Sequence, residues 1–476
     1  MNSFKPMLLT SLKSYDRAQF AKDVTAGIIV AIIALPLSIA LALASGVGPE
    51  AGIFTAIVAG FVISALGGSC VQIAGPTAAF ATIVAGIVAR DGLEGLMTAT
   101  ILAGVFLIIM GFCHFGSLIK FIPYTITTGF TSGIAVTIVI GQLKDFCGVT
   151  YPDGVKPIET MEKLKAFAEN FSTISPDALI VGGVSLAILI VSPLIFKKIP
   201  GSLIAVIAGI LMVQFLPLHV STIGNLYTIS NALPTLHLPV FDMKLIQSAI
   251  PNAFTIAVLA AIESLLSCVV ADGMINSKHR SDTELIAQGA GNIASALFGG
   301  IPATGAIART AANIKNGGRT PVAGMVHSIT LVIVLVVLMP FAGMIPMPTI
   351  AAILFLVAYN MCQWRTFVHL VRTAPKSDII VLFTTFVLTV VFDLVVAIEI
   401  GMVLACLLFI KRMSEETHAD SWVYVDDDSP AVDEHLQTRY PGLYVIGDGS
   451  GITHSLSHAS ASGVFVARDI LAQNAG

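Results

Sequence analysis

The sequence predicts an all-α protein that crosses a membrane many times. Of its 476 residues, 55% are hydrophobic and 11% are charged, whereas a soluble domain carries about 25% charged residues. Long apolar runs follow one another along the chain, and most approach the roughly 18 to 20 residues that span a bilayer. The polar surface is too small for a protein that faces water on all sides, so we expect a polytopic membrane protein.

About fourteen apolar segments can be counted as membrane spans. Several of the spans are short. They lie at approximately residues 24–44, 51–66, 77–90, 95–114, 120–142, 177–196, 201–217, 250–271, 283–298, 306–316, 321–339, 346–363, 377–393 and 395–411.

The positions of Lys and Arg agree with this count, because short cytoplasmic loops are enriched in both. If the N-terminus lies inside, the loops 45–50 and 218–243 lie outside, and neither contains a cation. The loop 143–176 has four lysines, but five acids accompany them. Cations predicted inside include Lys120, Lys197, Lys198, Lys278, Arg280, Lys315, Arg319, Arg365, Arg372, Lys376, Lys411 and Arg412. We therefore predict that both termini are cytoplasmic.

Two stretches reveal an internal repeat. SALGGSCVQIAGPTAAF (residues 64–80) and SALFGGIPATGAIART (residues 295–310) lie about 231 positions apart. Each ends a helix with Ser-Ala-Leu, breaks at Gly-Gly, continues extended and enters a new helix after a Gly. Each half then holds about seven spans, and an odd number forces the second half to enter from the opposite side. We predict a 7+7 inverted repeat, at about 24–217 and 250–411, with the binding site at the paired breaks.

The paired breaks predict an anion site. Helices that begin near Thr77 and Ala306 leave their first N–H groups unpaired and direct positive dipole ends into a shared cavity. Arg309, one turn into the second helix, adds a full positive charge. The alternative is a pair of ordinary kinks, with Arg309 reaching to the membrane surface.

Glu263 interrupts the apolar run AFTIAVLAAIESLLSCVVA, and an ionisable residue inside a span is a functional candidate. Ser267, four residues on, shares its helix face. Glu263 could carry a proton, help to hold a cation or pair with Arg309, and a purely structural pair is the alternative. His327 is interpreted as a hydrogen-bonded packing residue. A solvated or interfacial role is expected for the charged residues at or near span ends, Asp23, Arg90, Glu94, Asp393 and Glu399.

Four stretches resemble the membrane domain of the sulfate permease (SulP) family of anion transporters. They are DVTAGIIVAIIALPLSIALA, GGSCVQIAGPTAAF, TTGFTSGIAVTIVIGQLKDFCG and GNIASALFGGIPATGAIARTAANIKNGGRTPVAGMVH, and the resemblance covers about residues 15–412. It implies fourteen spans in a core and a gate domain with elevator-like motion, and an anion bound between the third and tenth helices. The matching positions are Gly75, Thr77, Ala78 and Ala79 opposite Gly305, Ala306, Ile307, Ala308 and Arg309.

The resemblance also places the coupling position at Glu263, with Ser267 one turn on. In some relatives an aspartate and a hydroxyl residue there belong to a sodium site, and in others a glutamate is associated with protons. Both stay open, with protons or no cation favoured. Two departures stand out: Leu37 follows Pro36 where many members have Gln, and no STAS domain is recognisable after Arg412.

Residues 413–476 change abruptly in composition. An acidic linker leads to YPGLYVIGDGSGITHSLSHASASGVFVARDIL, which resembles the end of FAD-dependent oxidoreductases, where a Gly-Asp pair (here Gly447 and Asp448) contacts the flavin. No G-x-G-x-x-G unit precedes it, so we predict no flavin binding. The expected domains are a cytoplasmic segment 1–23, a transport domain 24–412 and this cytoplasmic tail.

These observations predict secondary active transport of a small inorganic anion, such as sulfate, bicarbonate or chloride, across the cytoplasmic membrane. Dicarboxylate transport and nucleobase–proton symport on the same fold are the alternatives, and a flavin-linked membrane enzyme is a rival from another class. The six scattered cysteines form no CxxC pair, so no metal site is expected. We expect no enzyme activity, cofactor or nucleic acid; the expected partners are the anion, a proton or sodium ion, the bilayer and a second copy in a homodimer.

Overall fold

The computed structural model describes residues 4–117, 124–152, 157–195, 200–239 and 242–391, with short pieces at 400, 403, 435–437, 463–468 and 470–471. The chain divides into two compact units, Met1–Leu408 and Phe409–Gly476. The helices and strands from Met7 to Val391 all belong to the first unit. The span predicted at 395–411 and the tail after residue 413 lie outside the described residues, apart from the short pieces.

The first half of the bundle is helical except for one short strand. Its elements are α1 (Met7–Ser11), α2 (Arg17–Ala44), α3 (Pro49–Leu66), β1 (Ala74–Gly75), a 3-10 turn (Ala78–Phe80), α4 (Ala81–Phe112), α5 (Tyr124–Cys147), α6 (Thr160–Glu169), α7 (Pro176–Ile195) and α8 (Gly201–Phe215).

The second half repeats this plan after the short helix α9 (Ile223–Leu226). Its elements are α10 (Met243–Ile275), α11 (Ser281–Leu297), β2 (Thr304–Gly305), α12 (Ile307–Lys315), α13 (Val322–Ala342), α14 (Met347–Cys362), α15 (Trp364–Thr373) and α16 (Lys376–Val391).

The predicted spans correspond to helices through the thirteenth, the last that the structure describes. The spans predicted at 77–90 and 95–114 form a single assigned helix, interrupted at Gly92, whose φ of 69° breaks the helical path. Eight of the described helices are long and apolar enough to cross a membrane, and α8 is a shorter apolar helix. The two long helices α2 and α10 begin several residues earlier than the spans predicted at 24–44 and 250–271; in α2 the added turns are polar, with Arg17, Gln19, Lys22 and Asp23.

Local signals account for several helix ends. The Asp16 side chain accepts a hydrogen bond from the Gln19 N–H at 2.6 Å and caps α2. Pro49 occupies the first position of α3, where its missing N–H costs nothing. Asn276 ends α10 in the left-handed conformation, with φ of 52°.

The helices pack as two bundles, and each bundle takes helices from both halves of the chain. Helices α2, α3, α4, α10, α11, α12 and α13 pack against one another in the first bundle. Helices α5, α7, α8, α14 and α16 form the second. This division into a core and a gate is the arrangement that the sequence resemblance implies.

The two halves meet at the paired breaks. Strands β1 and β2 pair antiparallel, with Ala74 opposite Gly305 and Gly75 opposite Thr304. The Ala306 N–H extends the pairing by donating to the Ile73 carbonyl at 2.9 Å. We call this β1–β2 pair, residues 74–75 with residues 304–305, the crossing. Each strand leads directly to a new helix, so the crossing places the start of the 3-10 turn before α4 next to the start of α12.

Candidate functional site

The first break, residues 67–76, is stabilised by a buried carboxylate from the second half of the chain. One oxygen of Glu284 accepts from the N–H groups of Gly68 and Ser69 at 2.9 and 3.1 Å. The other accepts from the Gln72 side chain at 2.9 Å. Glu284 is fully buried. Non-helical backbone at membrane depth needs partners of this kind, since lipid offers none.

The second break, residues 298–306, is stabilised by neutral side chains. The Asn292 amide accepts from the Ala303 N–H at 2.8 Å and donates to the Ala303 carbonyl at 2.9 Å. The Ser264 hydroxyl accepts from the Gly305 N–H at 3.1 Å and lies 2.6 Å from the Thr304 hydroxyl. Both breaks are therefore held rigidly from outside their own segments.

The helices that follow the breaks begin with unpaired N–H groups. The Thr310 N–H makes the first bond of α12, to the Ala306 carbonyl at 2.9 Å. The 3-10 turn makes its first bond from the Phe80 N–H to the Thr77 carbonyl at 3.3 Å. Five N–H groups precede these first bonds and have no partner among the described residues; they belong to Ala78, Ala79, Ile307, Ala308 and Arg309. Such groups carry the positive ends of the helix dipoles.

The side chain of Arg309, in the second repeat, contacts the backbone of the first repeat. Its Nη2 donates to the Pro76 carbonyl at 2.9 Å, while Nε and Nη1 have no hydrogen-bond partner within the described part of the chain. Its side chain is 1% exposed, so it does not reach to the membrane surface, and that alternative is wrong. Across the described ranges, no carboxylate lies within ion-pair distance of it. The guanidinium thus brings a positive charge without an acidic partner to the crossing.

The Arg309 guanidinium lies against the backbone of Gly75, where any other residue would have its Cβ. A Cβ placed there would overlap Arg309 Nη1, so any larger residue would force the guanidinium to move away from β1. On the second strand, a Cβ at Gly305 would overlap the Gln72 side chain instead. The two matching glycines therefore face different chemistry.

Glu263 lies beside the first helix start. Its Oε2 accepts from the Thr77 hydroxyl at 3.1 Å, and the side chain is partly accessible. Ser267 does not join it, since the buried Ser267 hydroxyl contacts the Thr310 hydroxyl at 3.4 Å. Within the described residues Glu263 is not paired with Arg309. The structure thus brings Glu263 to Thr77 and leaves Ser267 in a separate contact.

Two sequence interpretations differ from the structure. Asp23 is fully buried, not interfacial, and accepts from the Thr320 hydroxyl at 2.6 Å and the Arg319 N–H at 2.9 Å. His327 is a buried packing residue, but neither ring nitrogen has a hydrogen-bond partner in the described ranges. The expectation of a hydrogen-bonded histidine is therefore wrong, because the ring is buried where no polar group of the described residues is positioned to hydrogen-bond with either nitrogen.

Three polar residues of α10 and α11 that hydrogen-bond to the breaks were not singled out from the sequence: Ser264, Glu284 and Asn292. A signal for two of them was present. Glu284, Gln288 and Asn292 recur at intervals of four and so share one face of α11. A polar stripe of this kind in an otherwise small-residue helix indicates partners that need hydrogen bonds.

The profile of the sulfate permease family matches residues 20–385. The chain belongs to this family. YvdB of Bacillus subtilis, a protein named for sulfate transport, is 42% identical over 414 residues, which cover 85% of this chain and 76% of YvdB. The bicarbonate transporter BicA of Picosynechococcus is 35% identical over 403 residues, covering 82% of this chain and 70% of BicA.

Solved structures carry the same fold. The transmembrane domain of a cyanobacterial BicA superimposes with a TM-score of 0.72 at 30% identity, covering 81% of this chain and 98% of that domain. The murine anion transporter Slc26a9 superimposes with a TM-score of 0.78, covering 85% and 71%, and at 19% identity this likeness shows the fold alone. The predicted all-α inverted repeat with core and gate is confirmed. This member belongs to a family of anion transporters, not of enzymes.

Proposed function

We propose that this protein is a secondary active transporter of a small inorganic anion, with sulfate and bicarbonate as the first candidates and chloride as the third. The observation that carries the proposal is the β1–β2 crossing, where two helix starts with free N–H groups adjoin a buried Arg309 that lacks an acidic partner. Relatives named for sulfate and bicarbonate transport support the anion class.

In this proposal the anion lies between the two helix starts. The anion accepts hydrogen bonds from the N–H groups of residues 78–79 and 307–308, and the positive charge of Arg309 attracts it. Hydrogen bonds to a charged group in a water-poor site are stronger than those between neutral groups. Gly75, Thr77, Gly305 and Ala306 complete the proposed site as close backbone contacts and helix caps. A site made mainly of backbone groups accepts several small oxyanions.

Transport then requires the crossing to face each side of the membrane in turn. The core bundle carries the crossing and the gate bundle packs beside it, so a movement of one against the other exposes the site alternately. The proposed location is the cytoplasmic membrane. Both termini are proposed to lie in the cytoplasm, as the positions of the loop cations predict. A homodimer is the proposed assembly.

Glu263 is the proposed coupling residue, and the proposed coupling ion is a proton. A bound anion repels an ionised carboxylate nearby, so the anion binds with the protonated form. The Glu263–Thr77 contact places the carboxylate next to the first helix start. The position of Ser267, away from Glu263, removes one ligand that a sodium site there would use.

The test is uptake into proteoliposomes of radiolabelled sulfate, bicarbonate, chloride and uracil, with pH and sodium gradients imposed separately. We expect uptake of sulfate or bicarbonate, driven by an inward proton gradient and indifferent to sodium. Uptake driven only by sodium would overturn the coupling proposal. Uracil uptake in place of any anion would overturn the function itself.

The proposed role of Glu263 has its own variant. A pH difference of one unit drives about tenfold accumulation of sulfate or chloride when one proton accompanies each anion and the membrane potential is held at zero. Bicarbonate is not used in this assay, because CO2 crosses the bilayer and follows the pH difference by itself. We expect Glu263→Gln to lose this accumulation while still exchanging internal for external anion at a measurable rate. Glu94→Gln, which changes an exposed carboxylate, is the matched control and should accumulate normally. Full accumulation by Glu263→Gln would contradict a proton carried at this residue.

A further inference from the structure

Residues 4–22, here called the N-terminal strap, are both apolar and basic at their surface. The strap directly precedes the spanning part of α2, so it lies at a membrane end of the bundle. Its exposed cations are Lys13, Arg17 and Lys22. Its exposed large apolar side chains are Phe4, Leu9, Leu12 and Phe20, which are 44%, 51%, 48% and 51% exposed. Interleaved basic and apolar side chains of this kind are typical of segments that lie on a lipid surface.

One end of the strap is fastened to the first break. The Met7 N–H donates to the Gly67 carbonyl at 2.8 Å. The Arg280 guanidinium donates to the Lys5 carbonyl at 2.5 Å and to the Thr10 hydroxyl at 3.1 Å. Arg280 also donates its own N–H to the Gly68 carbonyl at 3.0 Å. The strap and the start of the break therefore share one set of contacts.

The other end is fastened behind the second anion-site helix. The Tyr15 hydroxyl donates to Asp23 at 3.0 Å, and Asp23 also accepts from Thr320 and from the Arg319 N–H, in the link that joins α12 to α13. Burial, and next the hydrogen bond to Asp23, raise the pKa of Tyr15 to about 12, so it stays a donor at any cellular pH. The strap thus spans from the first break to the segment that follows α12.

We propose that the N-terminal strap is a binding surface for anionic phospholipid, with phosphatidylglycerol as its representative. The cations contact lipid phosphates while the exposed apolar side chains enter the interface. The charge of the surface selects anionic over zwitterionic headgroups. Bound lipid then holds both fastened ends in place, and with them the two breaks that form the crossing. The lipid binding is independent of the proposed transport function; only its effect on transport rate rests on that function.

The first experiment measures phosphatidylglycerol binding to the full chain in detergent micelles by native mass spectrometry. The strap variant is Lys13→Gln with Arg17→Gln and Lys22→Gln, which leaves every fastening contact intact. The matched control is Arg365→Gln with Arg372→Gln and Lys376→Gln, three exposed cations of α15 and α16. One cation near an anionic surface corresponds to about a fivefold change in binding, so we expect at least that loss in the strap variant and a smaller one in the control. Equal losses in the two variants would overturn the proposal.

The second experiment measures anion uptake in phosphatidylcholine vesicles with increasing phosphatidylglycerol. We expect the unmodified chain to be activated and the strap variant to need a higher phosphatidylglycerol fraction for half-maximal rate. Leu9→Ser with Leu12→Ser should shift the same midpoint without changing charge. Identical midpoints for the unmodified chain and both strap variants would overturn the effect on transport. If no anion is taken up at all, the proposed function fails and the binding result still decides the lipid surface.

Discussion

The two breaks have the same backbone plan but different chemistry around it. In both, a helix ends at Gly-Gly, a short strand follows and a new helix begins. The first break is held by the carboxylate of Glu284, whereas the second is held by neutral groups such as Asn292 and Ser264. Arg309 belongs to the second half but donates to Pro76 in the first.

This difference separates two tasks that an inverted repeat performs. The repeat supplies a symmetric pair of helix starts, which present N–H groups from both sides. The charged side chains nearest to the crossing, Glu263, Glu284 and Arg309, all come from the second half. The paired helix starts, which are common to both halves, form the cavity, whereas the charged side chains around it come from the second half alone. Each prediction below tests one side of this division.

The largest effect is expected for Arg309→Ala. Hydrogen bonds to charged groups contribute about 1.5–3 kcal/mol, which corresponds to roughly 10- to 150-fold in binding. We expect anion uptake to fall by about 100-fold, and Arg309→Lys to fall between this variant and the unmodified chain, because charge remains but the planar fork is lost. The measurement is initial uptake rate against anion concentration. Normal uptake by Arg309→Ala would show that backbone symmetry suffices.

The next effect compares the supports of the two breaks. Glu284→Ala leaves the buried Gly68 and Ser69 N–H groups without an acceptor, and each such group costs about 1–3 kcal/mol. Asn292→Ala leaves one buried N–H group, that of Ala303, without an acceptor, and it removes a donor from the carbonyls of Ala303 and Gln288. We expect the free energy of unfolding in detergent to fall by about 3 kcal/mol or more for Glu284→Ala and by about 1–2 kcal/mol for Asn292→Ala. Equal losses would mean that the carboxylate adds nothing beyond a neutral group.

The matching glycines offer a finer comparison. Gly75→Ala presses on Arg309, and Gly305→Ala presses on Gln72. Overpacking costs about 1–3 kcal/mol in both cases. We expect Gly75→Ala to raise the KM for the anion roughly tenfold, and Gly305→Ala to lower thermal stability with less change in KM. Gly86→Ala, where a Cβ meets nothing within 4 Å, is the control. A KM that rises equally in both variants would contradict the assignment of charge to one side.

The smallest effect concerns two serines of α10. Ser264 accepts from the Gly305 N–H and contacts Thr304, so Ser264→Ala should cost about 1–2 kcal/mol of unfolding free energy. Ser267 makes a single long contact at 3.4 Å, so Ser267→Ala should cost about 0.5 kcal/mol or less. Chemical denaturation of the two variants side by side is the check. A larger loss of unfolding free energy in Ser267→Ala than in Ser264→Ala would contradict the role of Ser264 in stabilising β2.

The sequence was sufficient for the architecture but not for the contacts inside it. Apolar runs located the spans, and two Gly-Gly breaks located the repeat, because both are local patterns. Glu263 and Arg309 stood out as lone charges in apolar surroundings. The burial of Asp23 was not visible, because two of its donors, Arg319 and Thr320, lie almost 300 positions away. Long-range partners of this kind leave no local trace.

Glu284 lies between these two cases. Its spacing with Gln288 and Asn292 was visible in the sequence, but its acceptor role toward the first break depends on how α11 packs against α3 and α4. The lack of partners around His327 likewise follows from tertiary packing alone. Local periodicity identifies a polar face, and only the fold says what that face meets.

The pairing of β1 with β2 also has a consequence for biosynthesis. Gly305 follows Ala74 by 231 positions, which a ribosome adding about 5–20 residues per second needs roughly 10 to 50 seconds to produce. During that time the first break lies in or near the bilayer with its backbone groups unpaired, a costly arrangement in lipid. We therefore expect the nascent first half to stay in contact with the insertion machinery, out of the lipid, until α10, α11 and β2 have been made. The β1–β2 pair is thus a late step in assembly of the bundle as well as part of the proposed anion site.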